Sequence, residues 1–333
     1  MTGEGSAYLL IAPTLFEWND SMKKRFIFIE GIPGSGKSTF ARFLSNQFQR
    51  NGYSCRLYLE TTFDHPIIET SVNEEPSIFM ESYPSRWIDF LNALPQEDII
   101  VIEAAFLQNP IVQLLHKEAD RDLIHAVIQK VSHLLSEQDS TLIYFYQKDT
   151  QAAIQNMIEV RGGQDYLLQL HERYGHEPYF LIRHEQGTES YLSLFQEYSM
   201  IANEIVLQGL IPTERIENSA AEYGLYQKQI LDKLGLKPIP DPVLETSLLK
   251  KYEGVYHNKE MDLELSIVLL DNDLWIFGNK RMNPNREDQF YLDDMSVIIS
   301  FMINNSKVKG LVITEKDLYA NRNDGGTVFE RIS

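Results

Sequence analysis

The stretch Phe26-Ile27-Phe28-Ile29-Glu30-Gly31-Ile32-Pro33-Gly34-Ser35-Gly36-Lys37-Ser38-Thr39 decides how this chain is read. Its first four residues are a continuous apolar, β-prone run, and residues 31 to 38 satisfy the spacing G-x-x-x-x-G-K-[ST]. Thr39 to Arg50 then has helical character. Strand, glycine-rich turn and helix, in that order, form a setting in which backbone N–H groups converge on phosphate. Glycines let the backbone curl so that successive N–H groups face inward, and the helix dipole adds a favourable potential for an anion. Gly31, Pro33, Gly34, Ser35, Gly36, Lys37, Ser38 and Thr39 are therefore the expected nucleotide-binding loop. Lys37 is expected to reach the β- and γ-phosphates of ATP, and the Ser38 hydroxyl to sit on Mg²⁺. Thr39 suits the start of the helix better than it suits a ligand contact.

Outward from this loop, Ser54 to Leu59 reads as a second strand and Ile99 to Ile102 as a third, whose uninterrupted β-branched run suits a parallel strand buried on both faces. Thr141 to Tyr146 and Arg215 to Glu217 are weaker fourth and fifth candidates. Ile124, Val127, Ile128, Val131, Leu134 and Leu135 repeat at three and four, the stripe of an amphipathic helix. Strands alternating with helices predict an α/β domain with a doubly wound parallel sheet over residues 22–235. Pro238, Pro240 and Pro242 follow Gly235 and predict a stiff linker at 236–243. Beyond it the hydrophobic period changes to two, at Leu263, Leu265, Ile267 and Leu269 and again at Leu274 and Ile276. Turn clusters such as Asn323-Asp324-Gly325-Gly326 separate the runs, so residues 244–333 predict a second, smaller antiparallel β-barrel-like domain. Residues 1–21 precede Met22-Lys23-Lys24-Arg25 and read as an extension.

Composition narrows the classes of partner. Asp and Glu number 48 against 30 Lys and Arg, a net charge of −18, and such a field repels nucleic acid and anionic membranes. The apolar stretch from Ser6 to Phe16 is too short to span a bilayer. Cys55 is the single cysteine, which excludes an intrachain disulfide and a cysteine-based zinc site and makes the cytoplasm the expected compartment. His171 and His176 are five residues apart and fall on different faces of a helix, a poor arrangement for a metal.

A magnesium nucleotide needs an acid on the metal side, and Glu103 follows the third apolar run where such an acid would stand. It is read as a metal-side or catalytic carboxylate, or else as a polar strand end. Glu60 follows the second run and is the first candidate for a general base, with Asp64 next. Tyr83 and Trp87 fall on one helical face and are read either as core or as a substrate wall.

Glu30-Gly31 followed by Ile-Pro-Gly-Ser-Gly-Lys-Ser-Thr, with Met22-Lys23-Lys24-Arg25 upstream, resembles the opening of the nucleoside and nucleotide kinase group of P-loop proteins, which includes thymidylate kinases and deoxynucleoside kinases. The resemblance covers residues 22 to about 235. It implies that an acid after the second strand serves as base, which matches Glu60, and that an arginine-bearing lid follows the fourth strand. Arg161 is the first lid candidate for a phosphate clamp, with Arg173 and Arg183 further on. In that group an acid–arginine pair follows the third strand, whereas here Glu103 is followed by Ala104 and Ala105. Tyr252-Glu253-Gly254-Val255-Tyr256 and Phe329-Glu330-Arg331 resemble the small lipocalin-like β barrels appended to some bacterial hydrolases.

The expected activity is an ATP- and Mg²⁺-dependent phosphotransferase acting on a small hydroxyl- or phosphate-bearing molecule. The alternative is a nucleotide-responsive regulatory ATPase that signals through its β domain. Substrate gating, oligomerisation with a second copy, binding of an apolar ligand and plain structural cover are all open for that domain.

Overall fold

The computed structural model describes residues 25–62, 65–69, 74–94, 99–183, 188–292, 295–314 and 326–332. The extension read at 1–21, the candidate base Asp64 and most of the turn at 323–326 lie outside the described residues.

β1 (Arg25–Gly31) is the central strand of a five-stranded parallel sheet. The order is β2 (Cys55–Tyr58), β3 (Ile99–Glu103), β1, β4 (Asp139–Tyr146) and β5 (Thr213–Glu217). Side chains alternate across a strand, so each apolar run feeds two cores. Phe26, Phe28, Ile100, Ile102, Leu142 and Tyr144 face one core. It is closed by α2 (Pro76–Ala93), α3 (Gln108–His116), α4 (Arg121–Ser136), α5 (Thr150–Val160) and α8 (Thr188–Leu207). Two shorter helices, α6 (Gln164–Tyr174) and α7 (Pro178–Ile182), pack at its margin. Ile27, Ile29, Val101, Ile143 and Phe145 face the opposite core, under α1 (Lys37–Arg50) and α9 (Tyr223–Leu234). Tyr83 and Trp87 are fully buried within the first core.

The same alternation sorts the acids at the strand ends. Glu30 continues the register of Phe26 and Phe28 and so turns toward α3, whereas Glu103 continues that of Ile99 and Val101 and turns toward α1. Because β1 lies between β3 and β4, the chain leaves it in both directions, and the crevice beyond its carboxyl end is the place where open α/β sheets take ligands.

α9 ends at Gly235, whose φ of 68° lets the Leu236 N–H return to the Leu231 carbonyl. The proline-rich segment that follows lies along the last turns of α1. The Gln47 side chain bonds the Ile239 backbone both ways, at 2.7 and 2.9 Å, and Asn51 Nδ2 donates to the Lys237 carbonyl at 2.9 Å. Arg50 Nη1 meets Asp241 at 2.6 Å, and the other Asp241 oxygen accepts from Tyr291 Oη at 2.7 Å. This last pair ties α1 to the second unit.

That unit opens with α10 (Thr246–Leu249) and a short 3-10 turn (Lys250–Tyr252). β6 (Gly254–Asn258), β7 (Leu263–Leu270), β8 (Asp273–Ile276), β9 (Lys280–Arg286), β10 (Gln289–Leu292), β11 (Met295–Asn304), β12 (Lys307–Thr314) and β13 (Thr327–Arg331) follow. Each strand is antiparallel to the next and β13 pairs with β6, so the sheet closes into an eight-stranded barrel without free edges. Aromatic rings pack in the interior: Tyr252 and Phe301 stack at 4.2 Å between centroids, and Phe290 meets both edge-on. Tyr252 and Tyr256 keep their hydroxyls satisfied on the Glu287 and Tyr252 carbonyls, at 2.7 and 2.6 Å. Among the described residues no helix is long and apolar enough to cross a membrane.

Candidate active site

The glycine-rich loop leaves β1 and enters α1 through Gly36, in the left-handed region at φ 83°. A Cβ on Gly36 would lie 2.6 Å from the Tyr223 ring, and one on Gly34, at φ 81°, would lie 2.6 Å from Met157 Cγ. Both positions thus require glycine, for conformation and for space. Gly31 and Ser35 form the buried underside of the loop, with the Gly31 carbonyl accepting from Tyr198 Oη at 3.1 Å and the Ser35 carbonyl from Asn218 Nδ2 at 2.7 Å. Pro33, Gly34, Gly36, Lys37, Ser38 and Thr39 line a cavity of about 920 Å³.

Lys37 is 5% exposed and donates to the Ile32 carbonyl at 2.9 Å. Burial pushes its pKa down, opposed by the charges of Glu103, Glu60 and Glu30. Ser38 Oγ donates to Glu103 Oε1 at 2.9 Å, while the other Glu103 oxygen accepts the Glu60 backbone N–H at 3.0 Å. Glu103 therefore links the start of α1 to the end of β2. Both Glu60 oxygens accept from Gln108 Nε2, at 3.2 Å each. Burial and the neighbouring Glu103 raise the Glu60 pKa, and Lys37 and Arg161 draw it down.

Behind this layer stands Glu30, fully buried. One of its oxygens accepts the N–H groups of Phe106 and Leu107, at 2.7 and 2.9 Å, and the other that of Gln108 at 3.0 Å. Burial pushes the Glu30 carboxyl up to about 7 despite these three bonds and the charge of Lys37. The segment it holds begins at Ala104, whose φ of 61° costs a non-glycine residue about 1–2 kcal/mol. Glu30 thus fixes the turn from which Gln108 reaches Glu60.

Arg161 stands at the mouth of the cavity, its Nη1 donating to Tyr166 Oη at 2.9 Å. Arg173 also lines the cavity, over the Tyr174 ring at 5.2 Å. Arg183 does not; it bonds Glu118 at 2.7 Å and Glu197 at 2.9 Å and lies 3.9 Å over the Tyr179 ring. The structure thus brings Lys37, Ser38, Glu60, Glu103 and Arg161 to one cavity. It adds two residues that sequence reasoning gave no role, Glu30 and Gln108. A lone carboxylate in the register of Phe26 and Phe28 was a readable signal for Glu30; Gln108 had none.

A family model described as Nephrocystin 3, N-terminal, matches residues 7–69, a segment that includes β1, the loop, α1 and β2. No curated protein is detectably similar to the chain in sequence. Solved structures similar to it include thymidylate kinase from Candida albicans, 14% identical, covering 65% of this chain and 96% of that one at a TM-score of 0.38. The protein APE1195 is 18% identical, covering 56% of this chain and 98% of that one at a TM-score of 0.29.

Proposed function

We propose that this chain is an ATP- and Mg²⁺-dependent phosphotransferase acting on a small-molecule acceptor. One observation carries the reading: a phosphate-type loop and a carboxylate suited to be a base open into a single cavity, with Lys37, Ser38 and Glu103 on one side of Glu60 and a roomy pocket on the other. The loop suits a nucleotide because Gly34, Gly36, Lys37 and Ser38 all line the cavity, and the left-handed backbone at Gly34 and Gly36 lets the loop curl at the start of a helix. Ser38 Oγ and Glu103 Oε1, 2.9 Å apart, are the hard oxygen donors that Mg²⁺ prefers, directly or through water. When bound, Mg²⁺ neutralises charge on the phosphate oxygens.

Lys37 supplies a buried positive charge to the transferred phosphoryl group, and Arg161 can close on it from the lid. Glu60 accepts the proton of the acceptor hydroxyl. Its raised pKa makes it a stronger base than a solvated carboxylate, and Gln108 holds both of its oxygens in place.

Incubation with MgATP and an acceptor panel, with transfer detected as a mass gain of the acceptor, tests this reading. Glu60→Gln is expected to lower kcat by about 10²–10⁴-fold with little change in ATP affinity. Wild-type turnover in that variant would remove Glu60 from the chemistry. ATP consumption without phosphorylation of any acceptor would instead favour a regulatory ATPase.

A further inference from the structure

The pocket beyond Glu60 is lined by carboxylates, and the buried cations at its wall or just behind it already have partners. Arg86, with a side chain 11% exposed, bonds Glu74 at 2.9 Å and lies 3.5 Å from Glu69. Both of these acids line the cavity. Lys117 is 16% exposed and bonds Glu177, itself 12% exposed, at 2.5 Å. His116 is buried against the Tyr174 and Phe180 rings, and burial pushes its pKa down to about 4, so it carries no charge at neutral pH. Of the remaining basic residues that line the cavity, Lys37 and Arg161 belong to the loop side, Arg173 stands exposed over Tyr174, and His176, also exposed, lies 3.7 Å from Glu177.

What the pocket offers instead is neutral and unsatisfied. Gln108 Oε1 and Tyr191 Oη have no hydrogen-bond partner, although the two residues are only 6% and 1% exposed and both line the cavity. A buried carbonyl and a buried phenol without partners incur a desolvation penalty that a bound hydroxyl removes. A phosphate or carboxylate brought here would meet Glu60, Glu69 and Glu74 with no unpaired buried cation to receive it. Recruiting Arg86 or Lys117 would leave a carboxylate uncompensated.

We propose that the phosphoryl acceptor is a phosphate-free polyhydroxy compound, uncharged or cationic, whose hydroxyls satisfy Gln108 and Tyr191. The inference rests on the phosphotransferase reading above. In the step, the acceptor oxygen forms a bond to the γ-phosphorus and its proton passes to Glu60. The bond from the γ-phosphorus to the β,γ-bridging oxygen breaks, and ADP leaves with that electron pair. A phosphomonoester and ADP are the products, and the proton is returned to solvent.

The test uses matched acceptors that differ by one phosphate: a nucleoside and its 5′-monophosphate, a hexose and its 6-phosphate, an aminocyclitol and its monophosphate, each with MgATP and the full chain. In any pair that is used, the phosphate-free member is expected to have a kcat/KM at least about tenfold higher, the discrimination that one buried like-charge contact supplies. Glu74→Gln loosens Arg86 and should narrow that ratio severalfold. Glu69→Gln, at a half-exposed side chain, should narrow it in the same direction and serves if Glu74→Gln fails to fold. Preference for the phosphorylated member overturns the charge assignment while leaving the phosphotransferase reading standing. Transfer to no member by a chain that binds ATP overturns both.

Discussion

Glu30 shows how one side chain organises the site. Glutamine at this position keeps the shape but offers one acceptor oxygen where the Phe106, Leu107 and Gln108 N–H groups need two, and it turns an NH₂ toward a donor. Glu30→Gln is therefore expected to lose about 1–3 kcal/mol of stability in chemical denaturation. Acceptor turnover should fall more than ATP affinity, because the Gln108 contact to Glu60 loosens while the loop is untouched. His65 supplies the pH test. Its Nδ1 accepts the Ile67 and Ile68 N–H groups at 3.1 and 3.0 Å, a bonding that requires the neutral ring, and burial pushes its pKa down to about 4 from an ordinary 6.5. The unfolded imidazole therefore takes up a proton at a higher pH than the folded one. The His65 contribution is complete above pH 6.5 and is lost as pH falls toward 4, by about 3 kcal/mol. His65→Asn, whose Oδ1 can accept the same two bonds, should flatten that loss in denaturation series at successive pH values; an unchanged slope would assign it to other groups. The placing of Lys37 and Ser38 at the start of α1 was legible from their spacing, and that of Glu60 and Glu103 at the cavity from the apolar runs they follow. The role of Glu30 was not, since its partners come more than seventy residues later and only the folded sheet brings them together.

At the scale of elements, two helices press on the glycine-rich loop. Tyr223 at the start of α9 and Met157 in α5 occupy the space next to Gly36 and Gly34. Gly36→Ala forces a side chain into a left-handed backbone and against the Tyr223 ring, so a stability loss of at least about 1–2 kcal/mol is expected. Titration with ATP should show a weaker complex as well, and a Gly36→Ala variant that melts and binds as wild type would contradict the packing described. β1 and β3 were readable from their apolar runs, and the end of α9 from Gly235. The second strand reads in sequence as Ser54 to Leu59 but forms over Cys55–Tyr58, because it pairs only with β3 at the sheet edge. α3 carries no cap signal that sequence could reveal: the N–H groups of its cap Leu107 and first residue Gln108 are satisfied by the distant Glu30.

For the whole molecule, the change of hydrophobic period after the prolines made a second, β-rich unit legible, whereas the pairing of β13 with β6 that closes the barrel depends on two distant segments meeting. The proline-rich segment is more than a spacer. Leu236 belongs to the core under α1 and α9, and residues 237 to 241 bond α1 directly. We propose that the α/β unit folds alone when the chain is cut after Pro242, and that this fragment binds ATP. A cut before Leu236 should give a less stable fragment, since it removes a buried side chain and the partners of Gln47 and Asn51. Thermal melts of the two fragments check this, and equal melting temperatures would reduce the segment to a tether.

We propose that residues 31 to 38, with Glu103, hold a magnesium nucleotide. Calorimetric titration of the full chain with ATP, with and without Mg²⁺, in wild type and Lys37→Ala tests it most directly. Saturable binding strengthened by Mg²⁺ in the wild type is predicted, together with its loss in a Lys37→Ala chain whose circular dichroism is unchanged. Equal binding by both proteins, or no binding by the wild type, would contradict the account.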